Sequence, residues 1–306
     1  MTGRRHTIAC LAGDGVGPEL MAEASRALAQ VSRLHGFGLT ELHLPFGGEA
    51  VVRFGHRLPQ ATREGYRRAD AVLAALPDEG ALHAVKLDLD VCWTIARVPV
   101  GHMGDVVVVG PLGEWCEEVA VARAFEAARH RRGAVVSIGD SDRWRSLVDA
   151  EGARQPGVRV EHVPLGEALA AAGSAPSRFD VVVTDDRFHA AFTDAIAFMS
   201  GSSDLVARGW LPADGPGVFA PSTTRDSHAA GFGTVDPSSF LLAASLLLFE
   251  GLRKRFASRT LDRAVAAALA RRNARPEAAT RHFTDAVIEL LPTSRTDTEL
   301  FDEVWG

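Results

Sequence analysis

Apolar runs and amphipathic segments alternate along most of the chain. Short runs that are continuously apolar, or nearly so, are typical of buried strands. They span residues 106–109, 134–138, 158–163 and 180–184. The segments between them, EEVAVARAFEAARHRR, SDRWRSLVDA and LGEALAAA, space their apolar residues as helices do. Strands that alternate with helices predict an α/β fold in which helices cover both faces of the sheet.

The stretch IACLAGDGVGPELMAEASRAL, residues 8–28, has the pattern of a strand, a glycine-rich turn and a helix. Pro18 and Glu19 suit the first turn of that helix. The turn does not match the dinucleotide fingerprint G-x-G-x-x-G, because a proline follows its third glycine. It is either a ligand loop or a turn whose glycines only supply positive φ angles. Its candidate ligand-binding residues are Gly13, Asp14, Gly15 and Val16.

The C-terminal third, residues 236–291, has the pattern of three successive helices with breaks near Ser258 and around residues 273–276. Asp236 suits an N-cap and Pro237 the first helical position. The run FLLAASLLLFEGL that follows is shorter than the ~20 apolar residues needed to span a bilayer. It therefore predicts a buried core helix, and no membrane partner is expected.

Composition narrows the class of protein. A length of 306 residues fits one large domain or two intertwined ones. A net charge of −6 argues against nucleic acid as a partner, because phosphate binding requires a basic surface. Cys10, Cys92 and Cys116 show neither metal-site spacing nor an even disulfide framework. Together with an N-terminus that lacks a signal-peptide pattern, they predict a cytoplasmic protein.

Segments along nearly the whole chain resemble, in order, the β-decarboxylating dehydrogenases, the isopropylmalate and isocitrate dehydrogenase family. They are GDGVGPELMAEASRAL, LPQATREGYRRADAVLAAL, EEVAVARAFEAARHRRGAVVSI, DRWRSLV, FDVVVTDDRFHAAFTDAIAFMSGS, GPGVFAPSTTRDSHAAGFGTVDP and FTDAVIELL. The resemblance implies two α/β domains with central sheets and a cleft between them. Residues 1–99 with 214–306 would form the first, cofactor-type domain, and residues 100–213 an inserted dimerisation domain.

The reaction of this family sets requirements that the sequence meets only in part. Members oxidise a 2-hydroxy acid that carries a second carboxylate, pass hydride to NAD or NADP and release CO2, with a lysine and a tyrosine moving the protons. The sequence has one tyrosine, Tyr66, and two lysines, Lys86 and Lys254. None matches the family's catalytic positions, which correspond to AVVSIGDSD and GPLGEWCEE. The resemblance therefore implies that the acid–base pair is missing.

The residues that would hold substrate and metal are also fewer. The family's arginine strand corresponds to DVCWTIARVPV, where Arg97 is about one place out of register and is either a carboxylate clamp or a surface residue. Gly110 or Pro111 stands where the next strand would end with an arginine. Of two metal-binding aspartates, Asp194 is present and Ala190 takes the other position. A single carboxylate makes a poor site, so bound Mg²⁺ or Mn²⁺ is not expected. Arg97 and Asp194 remain the candidate catalytic residues.

The cofactor loop of the family corresponds to GPGVFAPSTTRDSHAAGFGTVDP. Thr223 and Thr224 replace its His-Gly pair, and His228 replaces its acidic residue. An NAD enzyme needs a carboxylate that accepts from the ribose hydroxyls, whereas a cationic His228 with Arg225 suits a 2′-phosphate or another anion. No cofactor is firmly predicted. NAD(P) stays an open alternative, held by the glycine turn, Arg225 and His228.

These observations leave three interpretations of function. The first is an altered-function enzyme that acts on a small carboxylic acid or nucleotide-like ligand and is not an ordinary NAD-dependent oxidative decarboxylase. The alternative is a non-catalytic pseudoenzyme that serves as a structural or regulatory partner subunit. The third is a residual NAD(P)-dependent 2-hydroxy-acid dehydrogenase. A polar cleft would favour the first interpretation. Its expected groups are Arg97, His102, Trp115, Asp194, Arg225 and His228.

A homodimer through the second domain is also expected. The resemblance implies it, and AAFTDAIAFM places Phe192, Ile196 and Met199 along one helical stripe. A self-complementary stripe of this kind would be covered by its copy across a two-fold axis. The arm that clasps the partner subunit in the family is shortened in GPLGEWCEE, so the dimer is expected to be weaker than its relatives'.

Overall fold

A computed structural model describes residues 5–75, 79–101, 104–222, 230–272 and 280–292. The strands are β1 (Arg5–Leu11), β2 (Gly38–His43), β3 (Ala71–Ala74), β4 (Trp93–Val100), β5 (Gly104–Pro111), β6 (Ala134–Ile138), β7 (Arg159–His162), β8 (Val181–Thr184), β9 (Ala207–Leu211) and β10 (Val218–Pro221). The helices are α1 (Gly17–His35), α2 (Gly48–Phe54), α3 (Gln60–Arg67), α4 (Glu79–Asp88), α5 (Glu117–Arg129), α6 (Asp142–Arg154), α7 (Leu165–Ser174), α8 (His189–Met199), α9 (Ser238–Leu246), α10 (Arg255–Arg272) and α11 (Thr280–Glu289). No helix within these described ranges is both long and apolar enough to cross a bilayer.

The chain divides into two compact units. Met1–Leu89 and Gly215–Gly306 form the first, and Asp90–Asp214 form the second. The first boundary therefore lies between Leu89 and Asp90 rather than at residue 99 as expected. The reason is that β4 pairs along its length with β5 and β9, which are both strands of the second unit.

The first unit contains a parallel sheet in the order β2-β1-β3-β10. Every residue of β3 and β10 is buried, as is the segment Ile8–Leu11 of β1. Strands covered on both faces need no polar alternation, which explains their continuous apolar runs. The chain leaves β1 through the glycine turn and enters α1 at Gly17, so the predicted strand, turn and helix are confirmed.

The second unit contains a mixed sheet in the order β9-β4-β5-β8-β6-β7. The strands β5, β8, β6 and β7 run parallel, whereas β4 is antiparallel to both of its neighbours. All four apolar runs predicted as strands form strands in this sheet. Because β5, β8 and β6 are parallel, their carboxyl ends meet at one edge of the sheet, where ligands commonly bind in α/β proteins.

The C-terminal helices begin near the predicted place but are divided differently. Asp236 Oδ1 accepts a hydrogen bond from Ser238 N at 2.9 Å, and Pro237 is the N-cap of α9. The helix continues as a π-helical turn over Leu247–Gly251. The expected break near Ser258 is wrong, because Ser258 lies inside α10. The chain breaks instead at Arg253, whose φ of 55° ends helical geometry.

The expected surface stripe on α8 is also wrong for two of its three residues. Phe192 and Ile196 are fully buried within their own chain, in a core that includes Phe179 and Val182. The rings of Phe179 and Phe192 meet edge to face, with centroids 5.4 Å apart. The apolar period of α8 therefore marks the face that packs on its own sheet, and Met199 alone of the predicted stripe is exposed.

Two of the three cysteines form a disulfide, contrary to the expectation from their spacing. The Cα atoms of Cys92 and Cys116 are 5.8 Å apart, within the range that a disulfide spans. The β4–β5 hairpin brings them together, since Leu112 N donates to Cys92 O at 2.7 Å. Linear spacing does not reveal this pairing. The inference of a reducing compartment from unpaired cysteines therefore loses its support. Cys10 is buried and free.

Candidate functional site

The glycine turn after β1 is shaped by close backbone contacts. Gly13 and Gly15 have φ angles of 63° and 61°, which favour glycine. A Cβ at Gly17 would lie 1.8 Å from the Ala12 carbonyl oxygen, so no larger residue fits there without moving the backbone. By contrast, the space beside Gly15 is open. The turn therefore has one tightly packed side and one accessible side.

Asp14 of this turn has a structural role. Its carboxylate accepts hydrogen bonds from the backbone N–H groups of Gly48 and Glu49, at the start of α2. The first N–H groups of a helix have no partner within the helix, so an aspartate that accepts from them stabilises its N-terminus. Asp14 thereby joins the glycine turn to α2.

The tyrosine and the two lysines of the chain, the residue types that move protons in the family, all lie in the first unit. Tyr66 is fully buried, and its hydroxyl donates to the carboxylate of Asp88. Burial and this neighbouring carboxylate raise the pKa of Tyr66 well above its usual value. Lys254 Nζ lies 5.2 Å from the centre of the Phe37 ring, a cation–π arrangement. Lys86 belongs to the last turn of α4.

Arg97 is held by a partly buried carboxylate, that of Asp105. Its Nε donates to Asp105 Oδ2 at 2.6 Å, and Arg131 donates to Asp105 Oδ1 at 2.8 Å. Burial alone would raise the pKa of Asp105, but the two guanidinium groups outweigh it and hold the pKa well below the usual range. Arg131 also pairs with Asp180, which precedes β8. This network lies toward the amino ends of β5 and β8, opposite the edge where their carboxyl ends meet.

Asp194 likewise has a partner from its own chain. Arg208 of β9 donates to Asp194 Oδ1 at 2.5 Å, and the Asp194 side chain is 70% exposed. Ala190, one turn earlier on α8, supplies no ligand atom. One exposed carboxylate that is already paired with arginine does not fit a Mg²⁺ site, because this small cation requires an octahedron of oxygen ligands.

A buried histidine packs against Gly110, one of the two residues at which the resemblance implies an arginine. His189, at the start of α8, packs against Gly110, where a Cβ would lie 2.8 Å from the imidazole ring. Its Nε2 lies 3.3 Å from the Val108 carbonyl oxygen. Burial, reinforced by the nearby positive charge of Arg208, lowers the pKa of His189 to about 4. The imidazole is therefore neutral near pH 7.

Charged side chains gather where β5, β6 and β8 end, and the sequence did not single them out. Arg143 Nη1, in the first turn of α6, donates to Glu117 Oε2 at 2.5 Å. Arg187, just after β8, donates to Asp185 Oδ2 at 2.7 Å and also to Asp140. These five residues are called the strand-end cluster below. The sequence could have indicated them only by their positions, because each closely follows a strand or begins a helix at the same edge of the sheet.

The strand-end cluster combines a buried acid with exposed cations. Glu117 is buried, whereas the Arg143 and Arg187 side chains are 63% and 55% exposed. Desolvation raises the pKa of Glu117 against the opposing effect of Arg143, and the carboxylates of Glu114, Asp186 and Asp185 raise it further. Exposed guanidinium groups suit carboxylate or phosphate ligands, and a carboxyl group with a raised pKa suits proton transfer.

Packing fixes the loop that carries Asp140. A Cβ at Gly139 would lie 2.2 Å from the Trp144 ring, so glycine is required there. The buried Trp144 donates from Nε1 to Ser137 Oγ at 3.0 Å, and its backbone N–H donates to Ser141 Oγ, which caps α6. This tight turn sets the direction in which Asp140 leaves β6.

The remaining predicted site residues are of two kinds. Trp115 lies between β5 and α5 with its side chain largely exposed. Arg225, His228 and His102 fall outside the residues that the structure describes. The described residues thus bring together the strand-end cluster, and they place Arg97 and Asp194 in separate ion pairs.

Comparisons with known proteins agree with this architecture. The family model described as isocitrate/isopropylmalate dehydrogenase matches residues 7–82 and 115–291. A 3-isopropylmalate dehydrogenase of Pseudoalteromonas translucida is 28% identical, with 88% of this chain and 92% of that protein covered. The chloroplastic 3-isopropylmalate dehydrogenase 2 of Arabidopsis thaliana is 28% identical over 87% of this chain and 81% of that protein.

Solved structures show the same fold. A β-decarboxylating dehydrogenase from Thermococcus kodakarensis, in its apo form, superposes with a TM-score of 0.79 at 20% identity, covering 98% of this chain and 99% of that one. An isocitrate dehydrogenase from Methylococcus capsulatus gives a TM-score of 0.75 at 17% identity, covering 93% and 99%. With most of its length matched by the family model, the chain belongs to the isocitrate/isopropylmalate dehydrogenase family.

Proposed function

We propose that this family member is an altered-function enzyme that acts on a small carboxylic acid or nucleotide-like ligand and does not carry out ordinary NAD-dependent oxidative decarboxylation. One observation carries the proposal. The second unit, residues 90–214, contains neither a lysine nor a tyrosine. The resemblance places both proton-transfer residues of the family in this stretch. The single tyrosine of the chain is instead buried in the first unit against Asp88.

The residues around α8 support the same proposal. Asp194 pairs with Arg208, and His189 fills the space beside Gly110. Residues 83–114, which contain Arg97 and Gly110, also lie outside the match to the family model. No step through Mg²⁺ is therefore assigned to this chain.

In this proposal the strand-end cluster binds the ligand. Arg143 and Arg187 offer exposed guanidinium groups to an anionic ligand, and Glu117 offers a buried carboxyl group beside them. An arginine that exchanges its own carboxylate partner for that of a ligand keeps its charge balanced. A small carboxylic acid or a nucleoside phosphate meets this requirement.

A thermal-shift screen tests this assignment. Hydroxy-diacids and nucleoside phosphates would be titrated onto the purified chain, and a ligand present at 100 times its Kd adds ~2.7 kcal/mol to the free energy of unfolding. We expect a saturable rise in Tm with at least one of the two classes. The variant Arg143→Gln should reduce that rise, because it removes one exposed guanidinium.

The matched control is Arg145→Gln, on the same turn of α6 and also exposed. It should leave the rise in Tm unchanged. An equal loss in both variants would place the ligand elsewhere. No rise with either class would contradict the proposal and favour the alternative, a non-catalytic partner subunit, for which the filled space beside Gly110 is the supporting observation.

We also propose a homodimer through the second unit. The supporting observation is the C-terminal end of α8, where Phe198 is 79% exposed and Met199, from the predicted stripe, is 46% exposed. Exposed apolar patches on natural proteins commonly mark contact surfaces. Sedimentation at micromolar protein should show a dimer that Phe198→Glu weakens. Phe256→Glu, which changes an exposed phenylalanine on α10 of the first unit, should not weaken it. A soluble 32.6 kDa species would contradict the dimer.

A further inference from the structure

Three metal-ligand residue types meet on two neighbouring strands of the first unit. Cys10 of β1 and His43 of β2 are register partners in the parallel ladder, and Glu41 lies two residues before His43. Side chains alternate along a strand, so all three leave the same face of the sheet. The Cys10 thiol, the Glu41 carboxylate and the His43 imidazole each place a ligand atom within 4.8 Å of the other two.

The three side chains differ in exposure in a way that suits an ion entering from solvent. Cys10 is only 2% exposed, whereas the side chains of Glu41 and His43 are 20% and 59% exposed. His43 Nε2 lies 3.2 Å from Glu41 Oε2. Ser25 of α1 donates to the same oxygen at 2.6 Å, which fixes the orientation of the carboxylate. The Cys10 sulfur is therefore the buried ligand atom of the site, and the His43 imidazole is the one nearest to solvent.

We propose that Cys10, Glu41 and His43 bind a zinc ion, with water as the fourth ligand. Thiolate, imidazole and carboxylate are the three protein ligands that Zn²⁺ accepts, whereas Mg²⁺ and Ca²⁺ take oxygen ligands. Zinc requires bond lengths of ~2.0–2.3 Å to these ligand atoms, and the exposed side chain of His43 is the one of the three with room to adjust. Three protein ligands with an open fourth position are the pattern of accessible zinc sites.

Binding exchanges the thiol proton for the metal. The ion displaces this proton to solvent as the sulfur–zinc bond forms. The bound ion would link β2, which lies at the edge of its sheet, to β1. This site belongs to the first unit and is separate from Asp194 and the strand-end cluster.

Metal titration of the untagged full-length chain tests the site. Zn²⁺ added to chelator-treated protein should bind with one tight ion per chain by calorimetry. The variant His43→Ala removes an exposed ligand and should weaken binding at least ~10-fold, the lower range for losing even an outer partner of a metal ligand. The control His162→Ala changes another edge-strand histidine, 2.8 Å from Asp149, and should bind Zn²⁺ as the unmodified chain does.

Co²⁺ as a spectroscopic probe tests the sulfur ligand separately. Cys92 and Cys116 are disulfide-bonded, so a sulfur-to-cobalt charge-transfer band can come only from Cys10 among the three cysteines of the chain. We expect this band in the unmodified chain and its loss in Cys10→Ser. Absence of a tight ion, binding that survives His43→Ala, or bound cobalt without the band would each overturn the proposal.

Discussion

The resemblance places both the glycine turn after β1 and the helix α8 at ligand sites of the family. Each region carries an aspartate that is held by its own chain. Asp14 accepts from two backbone N–H groups at the start of α2. Asp194 accepts from the Arg208 side chain while remaining 70% exposed. Water can replace Arg208 as a partner for Asp194, but the N–H groups of α2 rely on Asp14. A carboxylate in such a region can therefore be a structural part of the fold, as Asp14 is, or a surface group, as Asp194 is.

A second contrast concerns what fixes each region. The glycine turn is fixed by backbone contact, with Gly17 against the Ala12 carbonyl. The start of α8 is fixed by a side chain, because the buried His189 ring packs against Gly110. Backbone packing is insensitive to pH, whereas an imidazole titrates. The stability that each region contributes should therefore respond differently to low pH and to the removal of a side chain.

The largest expected effect is the pH dependence that His189 contributes. Its pKa in the folded chain is about 4, against 6.5 for an unperturbed histidine. Between these values the unfolded chain binds a proton that the folded chain does not, so the free energy of unfolding falls as the pH falls. At 1.36 kcal/mol per pKa unit the loss approaches ~3 kcal/mol.

Urea unfolding of the unmodified chain and of His189→Asn, measured from pH 7 down to pH 4, checks this effect. The asparagine variant lacks the titrating group, so its stability should fall less steeply over the same range. Parallel curves for the two proteins would show that His189 is not buried in its neutral form. A change in the glycine turn, such as Asp14→Ala, should leave the contribution of His189 to the slope intact.

The next effect is the loss of stability on removing Asp14. The variant Asp14→Ala leaves the N–H groups of Gly48 and Glu49 without their carboxylate, which should lower the free energy of unfolding by about 1–2 kcal/mol. Chemical denaturation at pH 7 measures it. Unchanged stability would show that water caps α2 equally well and would remove the contrast between the two aspartates.

The smallest effect is expected for Asp194→Ala. An ion pair with so exposed a carboxylate contributes at most ~1 kcal/mol, so the variant should lie close to the unmodified chain in stability. Millimolar Mg²⁺ should also leave the Tm of both proteins unchanged. A saturable Mg²⁺-dependent rise in Tm that disappears in Asp194→Ala would show that α8 holds a metal despite Ala190.

The alternation of apolar runs with amphipathic segments was sufficient to predict the fold class. Strands that are buried on both faces are almost entirely apolar, and this makes them recognisable in the sequence. The order of strand, turn and helix at residues 8–28 could also be predicted, because glycine favours turns and proline favours the first turn of a helix. The apolar spacing of α8 also predicted a helix correctly, but it did not show which surface the apolar face packs against. An apolar stripe that faces its own sheet has the same spacing as one that faces a partner subunit.

The candidate site was less predictable because it depends on contacts distant in sequence. Glu117 and Arg143 are 26 residues apart and meet only because β5 and β6 end at the same edge of the sheet. The Cys92–Cys116 disulfide depends in the same way on the β4–β5 hairpin. What the sequence does show directly is which residue types a region lacks, as with lysine and tyrosine in residues 90–214.

The proposed loss of oxidative decarboxylation is tested most directly by an assay of NAD and NADP reduction, in which the absorbance of the reduced nicotinamide is followed. Isopropylmalate, isocitrate and tartrate would each be offered with Mg²⁺, beside an ordinary isopropylmalate dehydrogenase as the positive control. Each missing proton-transfer group typically contributes ~10²–10⁴ in rate, so we expect no turnover above background. Turnover near that of the control enzyme would contradict it and would show that other residues of this chain move the protons.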